Sequence, residues 1–546
     1  MRTRRGIRDL FSPRPRALLA GLAVSALTLT ACGGGGSNPA KPNGNEAPKP
    51  GGTLRLAISG DPITLNPRGK SSGDEAMFII RQLFDSLVRQ NPSTGAIEPW
   101  LAESWTVNTD ATSYTFHLRD GVTFSDGTAL TAQVVKDNFD DIAANTAQEN
   151  PQIVSAFASY RSATVVDPRT VTVQFERPNS PFLSLAASTR FGVISPNALR
   201  QKFEQRDTIA GTGPFVLKSY AKNADVVLDK RMGYAWPASG RAHTGDAYLD
   251  EVKFVVIPEA SVRTGSLATK SIDAMSGLLP AAVKTVKRNG AQVLAQPKPG
   301  TVYGLMPLVN VPPLDDPAVR RAIGFGVNRQ EIVDTVLSPE FKTATSPLAS
   351  TTPGFVDLHD LVAYNPQRAE AELDAAGWHK GPDGIRTKGG AKLSLSIGWF
   401  DQFSNSQQAL ELIQSQLAKI GVQVNLVKKT AAEIVSGLAA SQFDYFWYAI
   451  GGGDGDVLRT AYTNAPPNYL HRNDPELQAL LQQQAAIQDP AQRSAALAQA
   501  QRHILEQGLV IPVFEETALL AASPAVHALA FDADAHLDQL YDTWLS

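Results

Sequence analysis

The stretch LSLSIGWFDQFSNSQQALELIQSQLAKIGVQVNLV, residues 393–427, decides the fold class. Leu393, Leu395 and Ile397 alternate with small or polar neighbours, the period of a strand, and that strand ends at Trp399. Leu410, Ile413, Leu417 and Ile420 recur at helical spacing, and Gly421 follows as the residue that closes a helix. Val422, Val424 and Leu426 alternate again. A strand, a helix and a strand at this length imply two parallel strands joined by a right-handed crossover. A third strand, Phe443–Ala449, runs into Gly451-Gly452-Gly453-Asp454-Gly455-Asp456. In open α/β sheets ligands sit beyond the carboxyl ends of the strands, which points at Trp399–Asn405 and Trp447–Asp456. Phe446 and Tyr448 face the opposite side of their strand from Trp447, so only one set lines a given layer.

Outward from this unit the chain alternates between α/β and all-β patterns. Thr53–Ile58 alternates as a strand and precedes a Gly60-Asp61-Pro62 turn. Residues 74–89 have the apolar spacing of a helix through Phe78, Leu83 and Leu87. In LAESWTVNTDATSYTFHLRDGVTFSDGTALTAQVVKDNF, residues 101–139, Tyr114, Phe116 and Leu118 form a half-buried strand. Asp120-Gly121 and Asp126-Gly127 are turns flanking a short return strand at Val122–Phe124. Thr131 caps a helix whose buried face holds Val135, Phe139 and Ile142. Gly211-Thr212-Gly213-Pro214 turns into a strand at Phe215, and residues 248–257 predict another. Asp316-Pro317 and Asp489-Pro490 each start a helix with a capping carboxylate and proline in the first turn.

The chain has 546 residues, 43% hydrophobic and 19% charged, with a formal net charge of −3. That is globular composition, which excludes a disordered, collagenous or polytopic membrane protein. The charge excludes nucleic-acid binding by bulk positive potential. A single cysteine, Cys32, excludes internal disulfides and multi-cysteine metal sites. Residues 1–16 carry six arginines and one acid, and residues 17–31 are apolar or small, the form of a secretory signal peptide over 1–31. As a helix that apolar run rises about 22 Å, short of the ~30 Å hydrocarbon core. It ends Leu29-Thr30-Ala31-Cys32, which resembles a bacterial lipobox, in which the peptidase cuts before a cysteine that carries diacylglycerol. Arg4-Arg5 hints at twin-arginine export, but the rest of that motif is missing. Cleavage leaves 44 basic and 52 acidic residues, a net −8. The Gly-, Pro- and Asn-rich residues 33–50 form a flexible tether after Cys32.

Three chemical motifs bear on function. Gly69-Lys70-Ser71-Ser72-Gly73 matches G-x-S-x-G, the nucleophile elbow of hydrolases, but Asn66-Pro67 breaks the strand that chemistry requires. The Gly451–Asp456 run matches neither a dinucleotide fingerprint, nor a P-loop, nor a calcium loop. It is the kind of loop where backbone approaches something closely. The eight histidines are scattered, with no metal-ligating pair. Neither a cofactor nor a metal is expected.

Taken together, the motifs resemble the family 5 extracellular solute-binding proteins of ABC importers, the dipeptide, oligopeptide and nickel-binding group. The resemblance runs from Gly51-Gly52-Thr53-Leu54-Arg55, Asp61-Pro62 and Leu65-Asn66-Pro67 through Leu101-Ala102-Glu103-Ser104-Trp105 to Thr131-Ala132. It continues through Gly211–Phe215, Asp315-Asp316, Val319–Ile323, Tyr364-Asn365-Pro366 and Ala376-Gly377-Trp378. It implies an α/β, two-lobed periplasmic-binding-protein-like fold (type II, cluster C) with an extra inserted domain. Lobe I would comprise 51–88, 209–302 and 508–546, inserted domain II 89–208, and lobe II 303–507. It further implies a monomeric, lipid-anchored receptor, outside the cytoplasm, that captures a peptide or similar solute by hinge closure and docks on an ABC permease. No catalytic residue is expected.

The resemblance also implies where the solute lies. Ser71, Ser72 and Gly73 fall where the first lobe touches ligand. Trp399, Phe403 and Asn405 follow a strand end, and Trp447, Gly451, Gly452, Asp454 and Asp456 form the facing wall. Peptide-binding members resemble a pattern with an aspartate after the Phe443–Ala449 strand that pairs with the α-amino group. At that place stands Ile450-Gly451-Gly452. Either Asp454 substitutes, or the solute has no α-amino group, which admits an oligosaccharide, an opine or a nickel chelate. A secreted serine hydrolase using Ser71 is the rival reading from another class.

Overall fold

The unit at 393–427 folds as its periodicity dictates in the computed structural model, which describes residues 47–69, 73–145, 153, 157–203, 210–465 and 468–546. Strand Ser394–Trp399 lies between Gln423–Lys428 and Tyr445–Tyr448, parallel to both. Tyr303–Pro307 and Ile511–Phe514 complete a five-stranded sheet by antiparallel pairing. Helix Ser406–Lys419 buries Leu410, Ile413 and Leu417, and Gly421 takes φ +82° to reverse the chain into the next strand. Each such buried aliphatic contributes about 1.5–3 kcal/mol.

A seven-stranded sheet forms the other lobe. Its order is Gln292–Pro297, Thr517–Ala522, Ala274–Met275, Thr53–Ile58, Glu251–Val256, Asp225–Lys230, Phe215–Ala221. Thr53–Ile58 is central. Its Leu54, Leu56 and Ile58 join one hydrophobic cluster, while Ala57 joins the cluster of the second lobe. Met275 and Leu519 do the same, so the apolar packing of the two lobes is continuous beneath the point where the chain crosses.

The inserted segment builds its own antiparallel sheet, ordered Ala102–Val107, Ser113–Leu118, Thr170–Phe175, Tyr160–Asp167. Tyr114, Phe116 and Leu118 are buried as their alternation requires. Helix Ala132–Ala144 covers them, and the Thr131 hydroxyl accepts from the Val134 N–H at 3.3 Å. These side chains share the hydrophobic cluster of the first lobe, so the insert packs as a wing of that lobe.

Two expectations change. The helix from Asp74 stops at Leu83 rather than 89. The Leu83 carbonyl, which the next turn would need, accepts from Gly213 N–H at 2.9 Å, and Asp85 N–H donates to the Thr212 hydroxyl. A Cβ at Gly211 or Gly213 would stand 2.1 or 2.4 Å from carbonyl oxygens of this helix end, which explains two glycines in the motif. Val122–Phe124 is not a strand; the segment makes only an isolated bridge, Thr123 to Ala129, because residues 113–118 pair with 102–107 and 170–175 instead. Strand Ile511–Phe514 hydrogen-bonds to Tyr303–Pro307 in the five-stranded sheet.

The expected signal peptide 1–31, Cys32, and Ser71 with Ser72 lie outside the described residues. Of the tether, residues 47–50 are described; they are exposed and without regular structure. Among the described residues no helix is long and apolar enough to cross a membrane.

Candidate functional site

Two short segments carry the chain between the lobes, residues 298–302 and 515–516, each linking a strand of one sheet to a strand of the other. Lys298 N–H donates to the Glu516 carbonyl at 2.7 Å, which ties the two together. The Lys298 ammonium lies 2.8 Å from Glu516 and 2.7 Å from Asp74, the first residue of the Asp74–Leu83 helix. His536 approaches the other Asp74 oxygen at 3.4 Å. Burial alone would raise the Asp74 carboxyl; Lys298 and His536 outweigh it and hold it well below the ordinary carboxylate range. Asp74, with Asp532 and Asp534, raises His536 against its burial. Arg190, from the inserted domain, is lowered by burial and faces Asp534 and Asp74 electrostatically.

The glycine run packs against this crossing. Thr301 N–H donates to the Ile450 carbonyl, and Ile450 N–H to the Thr301 hydroxyl, both at 2.8 Å. Gly452 N–H donates to the Pro299 carbonyl at 3.0 Å. A Cβ at Gly453 would stand 2.6 Å from Asp534 Oδ1, and the Gln90 amide donates to the Gly453 carbonyl at 3.2 Å. The loop therefore lies where second-lobe backbone meets side chains of the first lobe and of its insert. Gly451 is exposed, and the nearest atom to a Cβ there is the Pro299 carbonyl oxygen at 4.0 Å.

The acids of this loop are engaged within the chain. Asp454 is buried, and both its oxygens take the Arg493 guanidinium. It also accepts from Asp456 N–H at 2.7 Å and from the Ser184 hydroxyl at 3.3 Å. Burial pushes its carboxyl up, but Arg493 brings it below the ordinary value. Asp456 binds the Arg459 guanidinium at 2.9 and 2.6 Å and accepts from Gln484; burial dominates there and its carboxyl is raised. An incoming ammonium would have to displace a guanidinium from either one.

The aromatic residues that sequence reasoning singled out lie in and against the second-lobe core. Trp447 is 2% exposed, donates to the Ser406 hydroxyl at 3.0 Å, and packs with Tyr303 and Phe514 at ring distances of 5.3 and 5.8 Å. Trp399 is 3% exposed, with the Lys428 ammonium 5.0 Å from its ring centre. Phe403, half-buried, stands 5.4 Å from both Tyr303 and Phe514. Asn405 donates to the Val336 carbonyl at 3.2 Å. Gly73 is exposed at the start of the Asp74 helix. On the sheet's other face Phe446 stacks on Tyr448 at 4.8 Å, with Phe400 6.0 Å from Tyr448.

The charged base formed by Asp74, Lys298, Glu516 and His536, together with Gln90 and Asp534 above it, went unnoticed in the sequence. These residues come from distant segments and share no motif. The one usable signal is that Lys298 and Glu516 stand at lobe crossings. Among the described residues no cluster of three or more His, Cys, Asp or Glu could hold a metal ion.

Comparison with known proteins gives a consistent result. The family described as bacterial extracellular solute-binding proteins, family 5 (middle), matches residues 96–469. The peptide transport periplasmic protein SapA of Salmonella typhimurium is 27% identical over 510 residues, covering 87% of each chain. The nickel-binding periplasmic protein of Escherichia coli is 24% identical, over 82% of this chain and 86% of that one. Among solved structures, NikA from Brucella suis in complex with Fe(III)-EDTA superposes with a TM-score of 0.80 at 25% identity, covering 91% of this chain and all of that one.

Proposed function

The chain belongs to the family 5 bacterial extracellular solute-binding proteins, and from that premise we propose that it is a lipid-anchored receptor that closes on a small solute and presents it to an ABC permease. The family's members are substrate-binding transport proteins and not enzymes, which sets the Ser71 hydrolase reading aside. The observation that carries the proposal is the joint between the lobes: two crossing segments bound side by side at Lys298 and Glu516, with the glycine loop against them. Such a joint supports hinge closure, in which solute stabilises the closed form by its greater affinity for it.

We assign three bodies to this mechanism. Residues 51–88, 209–302 and 515–546 form lobe I, 89–208 the inserted domain, and 303–514 lobe II. Cys32 would carry the lipid, and the protein acts as a monomer. The solute contacts would come from residues 71–73, Gly451 and Gly452, with Tyr448 offering aromatic area nearby.

A non-peptide solute is the second reading, and one observation favours it: Asp454 and Asp456 spend their carboxylates on Arg493 and Arg459. Mass spectrometry of solute released from the purified protein tests both. A peptide with a free amino terminus would support the first, and an oligosaccharide, opine or chelate the second. If solutes of both kinds, offered with a radiolabel, all fail to bind, the receptor proposal falls. For the anchor, Cys32→Ala should move the protein from the membrane fraction to the soluble one.

A further inference from the structure

The inserted domain touches the second lobe at a place far in sequence from either crossing segment. Ser180 N–H donates to the Ala485 carbonyl at 2.9 Å. The Ser184 hydroxyl donates to Asp454 Oδ2 at 3.3 Å. The Gln488 amide reaches the Asn108 carbonyl. At the start of the same inserted domain, the Gln90 amide meets the Gly453 carbonyl at 3.2 Å. These four bonds join segments 90–184 to segments 453–488 with no covalent continuity between them.

Asp454 is fixed for this role before the inserted domain arrives. Arg493 grips both its oxygens, and Arg493 is held in turn by the Gln484 side-chain oxygen at 2.9 and 3.1 Å. Asp456 N–H occupies a further lone pair. What remains of Asp454 faces the Ser184 hydroxyl. A carboxylate held by a guanidinium and a backbone amide keeps one geometry, so the hydroxyl meets a preformed acceptor.

We propose that Asp454 and Arg493 form the second-lobe half of a clasp, and that the Ser180–Ser184 segment of the inserted domain is its other half. The insert thereby biases the receptor toward its closed form before solute binds. Asp454 acts as a positioning residue for closure and touches no solute. The proposal rests on the two-lobed receptor reading, but its test needs no solute, so the two can fail separately.

In a Cys32→Ala background, spin labels at Val166→Cys in the insert and Val435→Cys in the second lobe occupy exposed positions, 63% and 42% accessible. Their distance distribution is measured by pulsed electron–electron double resonance on the full chain dialysed free of solute. The parent is expected to hold a substantial short-distance population. Ser184→Ala with Gln488→Ala should lower the closed-to-open ratio by about fivefold or more, since each lost hydrogen bond changes such a ratio severalfold. Asp454→Asn should lower it further. The Ser184/Gln488 pair alters only half-buried and exposed side chains, so it carries the test alone if Asp454→Asn fails to fold. A parent that is wholly open, or identical distributions in parent and double variant, overturns the clasp. So does a folded Asp454→Asn protein whose solute-free distribution stays that of the parent.

Discussion

At the crossing, Pro297–Val302 is bonded along its length by second-lobe backbone; at the far edge, among the described residues, the insert reaches the second lobe through one backbone bond and a few side chains. Thr301 donates to Ile450, Val302 to Pro347 and Ala349 to Gly300, at 2.8 to 3.1 Å, and the chain itself is continuous there. At the far edge the counterparts are Ser180 to Ala485 and the contacts of Ser184 and Gln488. Each ordinary hydrogen bond nets about 0.5–1.5 kcal/mol. The hydrogen bonds of the far edge together are therefore worth only a few kcal/mol, which the binding of a micromolar solute, about 8 kcal/mol, can outweigh or reinforce. The crossing cannot part without breaking a covalent chain. In the proposed hinge closure, one edge would bend and the other separate.

The sharpest way to break this comparison is at Arg493. Arg493→Ala leaves Asp454, 9% exposed, as an uncompensated buried charge. The expected cost is about 3–5 kcal/mol in urea unfolding. Adding Asp454→Asn should recover most of it, because the charge goes with its partner. A cost below about 1 kcal/mol would mean that the pair is not buried as described.

The crossing answers to a steric probe. Gly300 has φ +127°, and a Cβ there would stand 2.2 Å from the Ile450 carbonyl oxygen. Gly300→Ala should cost about 2–3 kcal/mol, combining a strained backbone with a collision against main chain. Gly451→Ala, with open space at its Cβ, should stay within about 0.5 kcal/mol. Equal effects at the two positions would contradict the packing of this loop.

A smaller effect, with a pH signature, is expected at Lys298. Lys298→Met removes the partner of both Asp74 and Glu516. Asp74 is half-exposed, so solvent screens the loss and about 1 kcal/mol is expected at pH 7. The folded Asp74 carboxyl is depressed below its unfolded value. Its contribution is therefore present above pH ~4 and lost as the pH falls through the folded value. The parent and the Lys298→Met variant should differ in thermal stability at pH 7 and converge as the pH falls through the folded Asp74 value.

Which parts of this were legible beforehand follows from the range of the interactions. The crossover at 393–427 needs only local periodicity and a closing glycine, and so do the caps at Thr131, Asp316 and Asp489. The end of the helix at Leu83 was hidden, because a loop 130 residues away takes the carbonyl that would have extended it. Trp399 and Trp447 looked like cleft residues because they end strands. The parallel strands of this sheet are covered on both faces, so a strand-end tryptophan can be core as readily as wall. The charged base of Asp74, Lys298, Glu516 and His536 draws on four separate segments, and no spacing rule assembles it.

The smallest effect is expected at Gln90, and it bears most directly on how the two edges divide the work. Gln90 donates to the Gly453 carbonyl at 3.2 Å and more weakly to Gly95 at 3.4 Å. Gln90→Ala therefore keeps the fold and removes one bond across the separating edge. The expected change is about 0.5–1 kcal/mol in the equilibrium between open and closed forms, or roughly a two- to fivefold shift. Apparent affinity scales with the competent fraction, so every solute should weaken by the same factor. A residue that touched solute would instead change the ranking among solutes. Measured by calorimetry across two chemically different solutes, a common factor places Gln90 with the separating edge, and a changed ranking places it in the solute wall.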